Sequence, residues 1–363
     1  MATTQPTPRL YLAPTRFSQL VARIERLPAR VREYFDRHGP GAALYVVSPV
    51  VAELVLGSSP PLTFLFFGWI DLLMYGGGAV IIRELVRRWG KGWPSILALG
   101  VAYGIAEEGL AIRSFFNPGW GGLEYLGSYG WVGGTNWFWA TEMAVYHSVV
   151  SITLPILLVS LAYRTRRDQP WIPGGSLRRV GLGFLASIFI CWVILPYPVG
   201  TGPILGCLAA MAICFLVARR LPARVAWPSH LGAATAGLAP TPSTVFRVCL
   251  AVTILSFVLV FACGFGMPFV PAAALLVAIV LGTMGWLLRA SAGVGWSDRH
   301  RFAVPAGVIA FFVGFSPLVE LGGGHGQIVV GLVTGVVLRR VWRSLAASRP
   351  FDVPDGSSDF AFR

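Results

Sequence analysis

From residue 42 to residue 341 the chain alternates between long apolar runs and short polar connections. Ten runs can be drawn, over residues 42–57, 62–82, 94–112, 136–162, 181–197, 201–217, 246–263, 268–288, 302–319 and 326–341. Most approach the ~20 apolar residues with which a helix crosses a ~30 Å hydrocarbon core. They are too long and too continuous to be the alternating strands of a membrane barrel, the other structure that satisfies its own backbone in lipid. The pattern therefore predicts an all-α fold, a polytopic membrane bundle of about ten transmembrane helices. The first run is the weak member. It reaches only ~24 Å at ~1.5 Å per residue, Pro49 would kink it, and Glu53 lies within it. A true crossing is expected there, with a re-entrant loop as the alternative.

The connections set the orientation. Seven arginines lie between Arg9 and Arg37, and the turn at 57–61 has none. Arg83, Arg87, Arg88 and Lys91 follow, then a loop over 113–135 with Arg113 alone. Every second connection continues to be basic through Arg339, Arg340 and Arg343, so 28 of the 29 Lys and Arg residues fall on one side. The positive-inside rule makes that side the cytoplasm and places both termini there, in the inner membrane of a bacterial cell.

Composition agrees with this placement. Of 363 residues, 55% are hydrophobic and 12% charged, about half the charge of a soluble domain. The net charge of +13 sits in connections facing anionic lipid, which makes the bilayer the expected partner and argues against nucleic acid. Residues 1–41 read as a cytoplasmic tail whose 15–38 stretch is basic and amphipathic. The membrane domain spans 42–343, with its polar core in 42–162, and 344–363 reads as a disordered tail. Cys191, Cys207, Cys214, Cys249 and Cys263 lie in apolar runs without a CxxC pair and read as small buried hydrophobes.

Candidate chemistry is confined to the first four runs. Glu53, Asp71, Glu107, Glu108 and Glu142 all lie there, whereas runs five to eight hold no acid, Lys or Arg in their interiors. A charge in hydrocarbon costs at least ~2.5–3.5 kcal/mol on insertion scales. The adjacent pair Glu107–Glu108 is thus either a structural ion pair with Arg113 or a working site. His147, one run later, could shuttle a proton or bind an oxyanion, or it could simply be hydrogen-bonded between helices. Glu53, Asp71 and Glu142 are accessory candidates. Glu320 and His325 flank three glycines and read as a solvated turn. The aromatic, glycine-rich loop over 113–135 suits either an interface belt or a mobile lid. Gly76, Gly77 and Gly78, and Gly100 with Gly104, suit close helix packing. Neither a cofactor nor a metal is specified by any motif.

Two resemblances follow from these residues. The segments LYVVSPVVAEL (44–54), YGGGAVIIRELVRRWGKGWPS (75–95) and AYGIAEEGLAIRSFFNP (102–118) resemble a bacterial group of uncharacterised multi-pass membrane proteins. Glu107 and Glu108 followed by Arg113, with His147 one run later, resemble the CAAX-protease and bacteriocin-processing family of intramembrane endopeptidases. Arg113 comes one residue later than that family's spacing, and Met143 stands where its second motif has an aromatic. The second resemblance implies that Glu107, Glu108 and His147 activate water against a membrane peptide. Secondary transport of a small molecule, on a five-plus-five repeat, and a non-catalytic scaffold are the competing expectations.

Overall fold

Each apolar run becomes a helix, because lipid leaves the backbone no partner but itself. The computed structural model describes residues 29–121, 123, 126–223, 237–262 and 266–347. The expected amphipathic stretch falls largely outside these residues, as do most of the C-terminal tail and Cys263.

Ten helical rods are seen among the described residues. Helix α1 runs over Ala29–Pro49 and continues without a break as a π-helical turn, Val50–Val55. Next come α2 (Pro61–Arg88), α3 (Trp93–Gly104, continuing as the π turn Ile105–Ala111) and α4 (Trp137–Ala162). Six regular α-helices complete the set: α5 (Gly174–Ile194), α6 (Thr201–Arg220), α7 (Pro242–Ala262), α8 (Phe269–Ser291), α9 (Asp298–Leu321) and α10 (Gln327–Ala347). Seven of these rods, α2 and α4 to α9, are long and apolar enough to cross a membrane. The arginines at the end of α10 and the glutamates in α3 keep those two helices below that measure.

The expected short first run is corrected by the structure. Helix α1 begins at Ala29, crosses the expected domain boundary at 41/42, and rises about 40 Å at ~1.5 Å per residue. Pro40 and Pro49 lie inside it.

Helix α4 is the hub. It packs on α1, α2 and α3 and also on α8 and α9. Its most apolar stretch is 67% buried, against 11% for each of α5, α6 and α8. Those outer helices turn Leu182, Leu185, Phe189, Leu205, Ile213 and Leu281 outward, which is the surface a lipid tail covers at no cost. Small residues set the inner spacing. A Cβ on Gly76 would lie 2.2 Å from the Tyr45 carbonyl oxygen, and one on Gly100 would lie 2.6 Å from Ser148 Cα. The glycines expected to pack helices therefore do so.

The basic connections meet at one end of the bundle. Arg87 reaches Asp168 at 3.2 Å, Arg164 reaches Asp298 at 3.1 Å, and Lys91 donates to the Leu221 carbonyl at 2.8 Å. Beneath them Arg83 and Glu84 are fully buried and paired at 2.7 Å. The Arg83 guanidinium lies 3.6 Å from the Trp171 ring centre, while the Trp171 amide donates to Glu84 at 2.7 Å. The opposite end carries the 113–136 segment. It forms a short hairpin, Trp131–Val132 against Thr135–Asn136, and buries Leu123 and Leu126 against α7 and α8.

Candidate functional site

Four π-helical turns occur among the described residues, and all four lie in α1 to α4: Val50–Val55, Leu72–Gly76, Ile105–Ala111 and His147–Thr153. The residues singled out from sequence sit on them or at their edge. Glu53 is on the first, Asp71 precedes the second, Glu107 and Glu108 are on the third, and His147 opens the fourth. A π turn replaces i→i+4 bonds by i→i+5 bonds. The widened turn makes adjacent side chains diverge by less than the ~100° of an α-helix, which lets neighbouring glutamates serve one centre.

Widening also strands carbonyls, and side chains collect them. Tyr146 donates to the Ala52 carbonyl at 2.6 Å, Ser48 to that of Ser151 at 2.7 Å, and Thr153 to that of Ser148 at 2.7 Å. Buried Gln327, at the start of α10, donates to the Leu54 carbonyl at 2.8 Å. Without such donors each irregular turn would leave an unpaired polar group away from water.

The centre itself is His147, held between two carboxylates. Its Nδ1 lies 3.3 Å from Glu107 Oε2, and its Nε2 lies 3.2 Å from Glu108 Oε1. Ser151 Oγ, one turn along α4, is 3.1 Å from Nδ1. All three ionisable residues are buried, Glu107 to 2% exposure and His147 to 1%. Gly104 makes this approach feasible, since a Cβ there would lie 3.1 Å from that of His147. Three tyrosines wall the imidazole, with ring centres at 5.2 Å (Tyr146), 5.7 Å (Tyr103) and 6.1 Å (Tyr75). From the 113–136 segment Ser114 donates to Glu108 Oε2, and Trp139 Nε1 donates to Ser114 Oγ at 2.9 Å. That segment is tied down by Asn136, whose side chain caps α4 through the Trp139 amide at 2.9 Å.

The other candidates are distributed around this centre. Glu53 accepts hydrogen bonds from Tyr75, Ser58 and Ser59, the last two at 2.7 and 2.8 Å. It thereby links Tyr75 to a turn that includes exposed Ser58. Asp71 is half-buried within electrostatic range of Glu53. Glu142 is half-buried on the α-helical turn preceding His147. Arg113 is not on the glutamates. Its backbone ends α3 in the left-handed region at φ 64°, and its guanidinium turns to the last carbonyls of α5, Trp192 (2.9 Å) and Leu195. It also stacks on the Trp192 ring at 4.2 Å. The α5 C-terminus carries the negative end of the helix dipole, which suits a cation. Among the described residues no Lys or Arg pairs with Glu107 or Glu108, so His147 is their ionic partner. Glu320 accepts from the amides of Gly326 and Ile328 at 3.0 Å each, so it caps α10 as a turn residue.

The sequence reading missed the tyrosines, Ser114, Ser151 and Gln327. A signal existed for half of them: Tyr75 follows Asp71 by four, Glu107 follows Tyr103 by four, and Ser151 follows His147 by four. Helical neighbours at that spacing share a face.

Chemically, one donor atom from each of Glu107, Glu108 and His147 lies within 4.8 Å of the others. Such a set can move protons, activate a water or hold a cation. No curated protein and no solved structure matches the chain. The model of an uncharacterised membrane protein family matches residues 42–319, from within α1 almost to the end of α9. This multi-pass membrane protein belongs to that family.

Proposed function

We propose that the protein is an intramembrane hydrolase acting on a membrane peptide, in the manner of the CAAX-type endopeptidases that its Glu107, Glu108 and His147 resemble. It lies in the inner membrane as ten crossings with both termini cytoplasmic. The gathering of the basic connections at one end supports that orientation. On this topology the buried centre lies toward the outer side, beneath the 113–136 segment, which serves as its lid.

One observation carries the reading. The imidazole is held between two buried carboxylates on π turns, while the single arginine nearby in sequence is engaged elsewhere. A purely structural glutamate pair would be neutralised by Arg113, at much lower cost. In the proposed reaction one carboxylate takes a proton from water as the oxygen attacks the peptide carbonyl. His147 stabilises the developing oxyanion by a hydrogen bond, and the proton now on that carboxyl passes through the imidazole to the leaving amine as the C–N bond breaks. Glu108, fixed by Ser114, holds the ring in register.

The test is cleavage of fluorogenic membrane peptides, prenylated and unprenylated, by the purified protein in proteoliposomes. Cleavage that is lost in Glu107→Gln and His147→Ala supports the hydrolase. No cleavage of either class by well-folded wild type overturns it. A second reading, proton-coupled transport, is favoured by the Ser58–Glu53–Tyr75 chain, which leads from an exposed turn to the tyrosine wall. Proton flux in the same vesicles, abolished by Glu53→Gln, would select it.

A further inference from the structure

We propose that Glu107, Glu108 and His147 bind a first-row divalent transition cation, with His147 Nε2 and the two carboxylates as its ligands. With the ion bound these three side chains serve as its ligands, and lowering the pKa of a bound water takes the place of the proton transfers described for the metal-free centre. That role rests on the hydrolase reading, whereas the presence of the ion is tested by metal content alone.

Charge is the first argument. Two carboxylates are buried here with one imidazole as their ionic partner, and Glu53 and Asp71 add further acid nearby. Buried charges persist when they are paired or when they coordinate metals. Arg113, the cation at hand in sequence, is spent on the end of α5.

An unpaired polar atom is the second, independent argument. Glu107 Oε2 is fully buried and makes no hydrogen bond among the described residues; its 3.3 Å approach to His147 Nδ1 lacks hydrogen-bond geometry. The Tyr103 hydroxyl, also buried, is turned to the same carboxylate. A buried carboxylate oxygen left open beside a second carboxylate and an imidazole marks a place for a ligand.

Donor chemistry and spacing are the third. An imidazole with two carboxylates suits Zn²⁺, Mn²⁺ or Fe²⁺ rather than Cu⁺ or an iron–sulfur cluster. Ligand bonds of ~2.0–2.2 Å put two donors of one tetrahedral ion about 3.4 Å apart. The 3.2 Å between Nε2 and Glu108 Oε1 is close to that value. Glu107 supplies the third donor, one ligand atom of each of the three residues lying within 4.8 Å of the others. The other ring nitrogen, Nδ1, is already held by Ser151 at 3.1 Å, and a metal-ligating histidine needs such an orienting partner. With three protein ligands the ion would keep a position for water. That is the arrangement of catalytic rather than structural sites.

The experiment is metal analysis of the full-length protein purified in detergent without chelator, followed by Co²⁺ titration and X-ray absorption on the metal-loaded form. About one cation per chain is expected. It should have a mixed nitrogen and oxygen shell and a Co²⁺ absorption band, and it should fall at least tenfold in occupancy in Glu107→Gln and His147→Ala. Glu320→Gln, a turn substitution remote from the site, should bind as wild type does. Substoichiometric metal in wild type, a shell lacking imidazole nitrogen, or binding unchanged by Glu107→Gln would each overturn the site. Should a variant fail to fold, the wild-type absorption shell decides alone. Absence of metal with peptide cleavage intact would remove the cation and leave a glutamate–histidine hydrolase.

Discussion

Helices α1 to α4 and helices α5 to α10 solve the same problem, packing in lipid, by opposite means. The second group is regular. Its helices hold their backbone bonds internally, and α5, α6 and α8 show lipid Leu, Ile and Phe along most of their length. The first group contains all four π turns, the buried glutamates and the histidine. It needs hydroxyls, an amide side chain and glycines to repair what those irregularities expose. Regularity is the cheaper solution in a medium without water. A region that departs from it four times, always where ionisable residues lie, is shaped for those residues rather than for stability.

The comparison can be broken within the first group, because it holds two kinds of buried carboxylate. Glu84, at the basic end, accepts from Arg83, Arg88 and the Trp171 amide. Glu84→Ala should cost the largest amount, about 3–5 kcal/mol, by stranding the buried Arg83, read as unfolding in detergent. In chelator-treated protein Glu107→Gln should leave the melting temperature unchanged or raised, since charges held for function are held at a cost, while in untreated protein it should abolish metal binding and turnover. A fall matching that of Glu84→Ala would make the Glu107 centre structural and sink the proposed function.

Glycine substitutions sharpen the contrast between the groups. Gly76→Ala and Gly100→Ala place a methyl within 2.2 Å and 2.6 Å of neighbouring backbone and should cost roughly 1–3 kcal/mol. Gly206→Ala and Gly282→Ala, on α6 and α8, meet nothing within 4 Å and should fall within about 0.5 kcal/mol of wild type. Equal effects in the two sets would refute the division into a close-packed site and a lipid-facing surround. The smallest effect expected on the site side is Asn136→Ala, which removes the α4 cap for about 1 kcal/mol. Its informative consequence is on the 113–136 segment, which should become more susceptible to limited proteolysis if that segment is the lid.

Much of the architecture was legible one run at a time. Each of the ten expected runs has its helix, with ends that agree within a few residues except where arginine-bearing turns prolong the helix, as at Arg88 and Gly174. Helix α1 was underestimated because His38, Gly39, Pro40 and Gly41 interrupt the apolar pattern, although the backbone passes through them helically. Tertiary support overrides local propensity there: a Cβ on Gly41 would meet Ile172, and one on Gly39 would meet Tyr163. Glu107, Glu108 and His147 were legible as candidates because ionisable residues are rare in such runs. Arg113 was legible as a residue and misleading as a partner, since spacing along the chain cannot say which way a side chain turns after a left-handed residue.

What the sequence determined by itself is the helical membrane fold and the half of it that carries polar chemistry. Both follow from hydrophobicity summed over ~20 residues, a local quantity that lipid enforces strongly. What the tertiary structure alone decided is the centre. It brings an imidazole from α4 between two carboxylates of α3, turns Arg113 away to α5, and gathers tyrosines from three helices. The π turns that permit this differ from an α-helix by a single register step in the hydrogen bonding. Their carbonyls are satisfied by groups such as Gln327, 272 residues from the Val55 carbonyl it serves. An energy balance spread over such distances has no trace in any one segment.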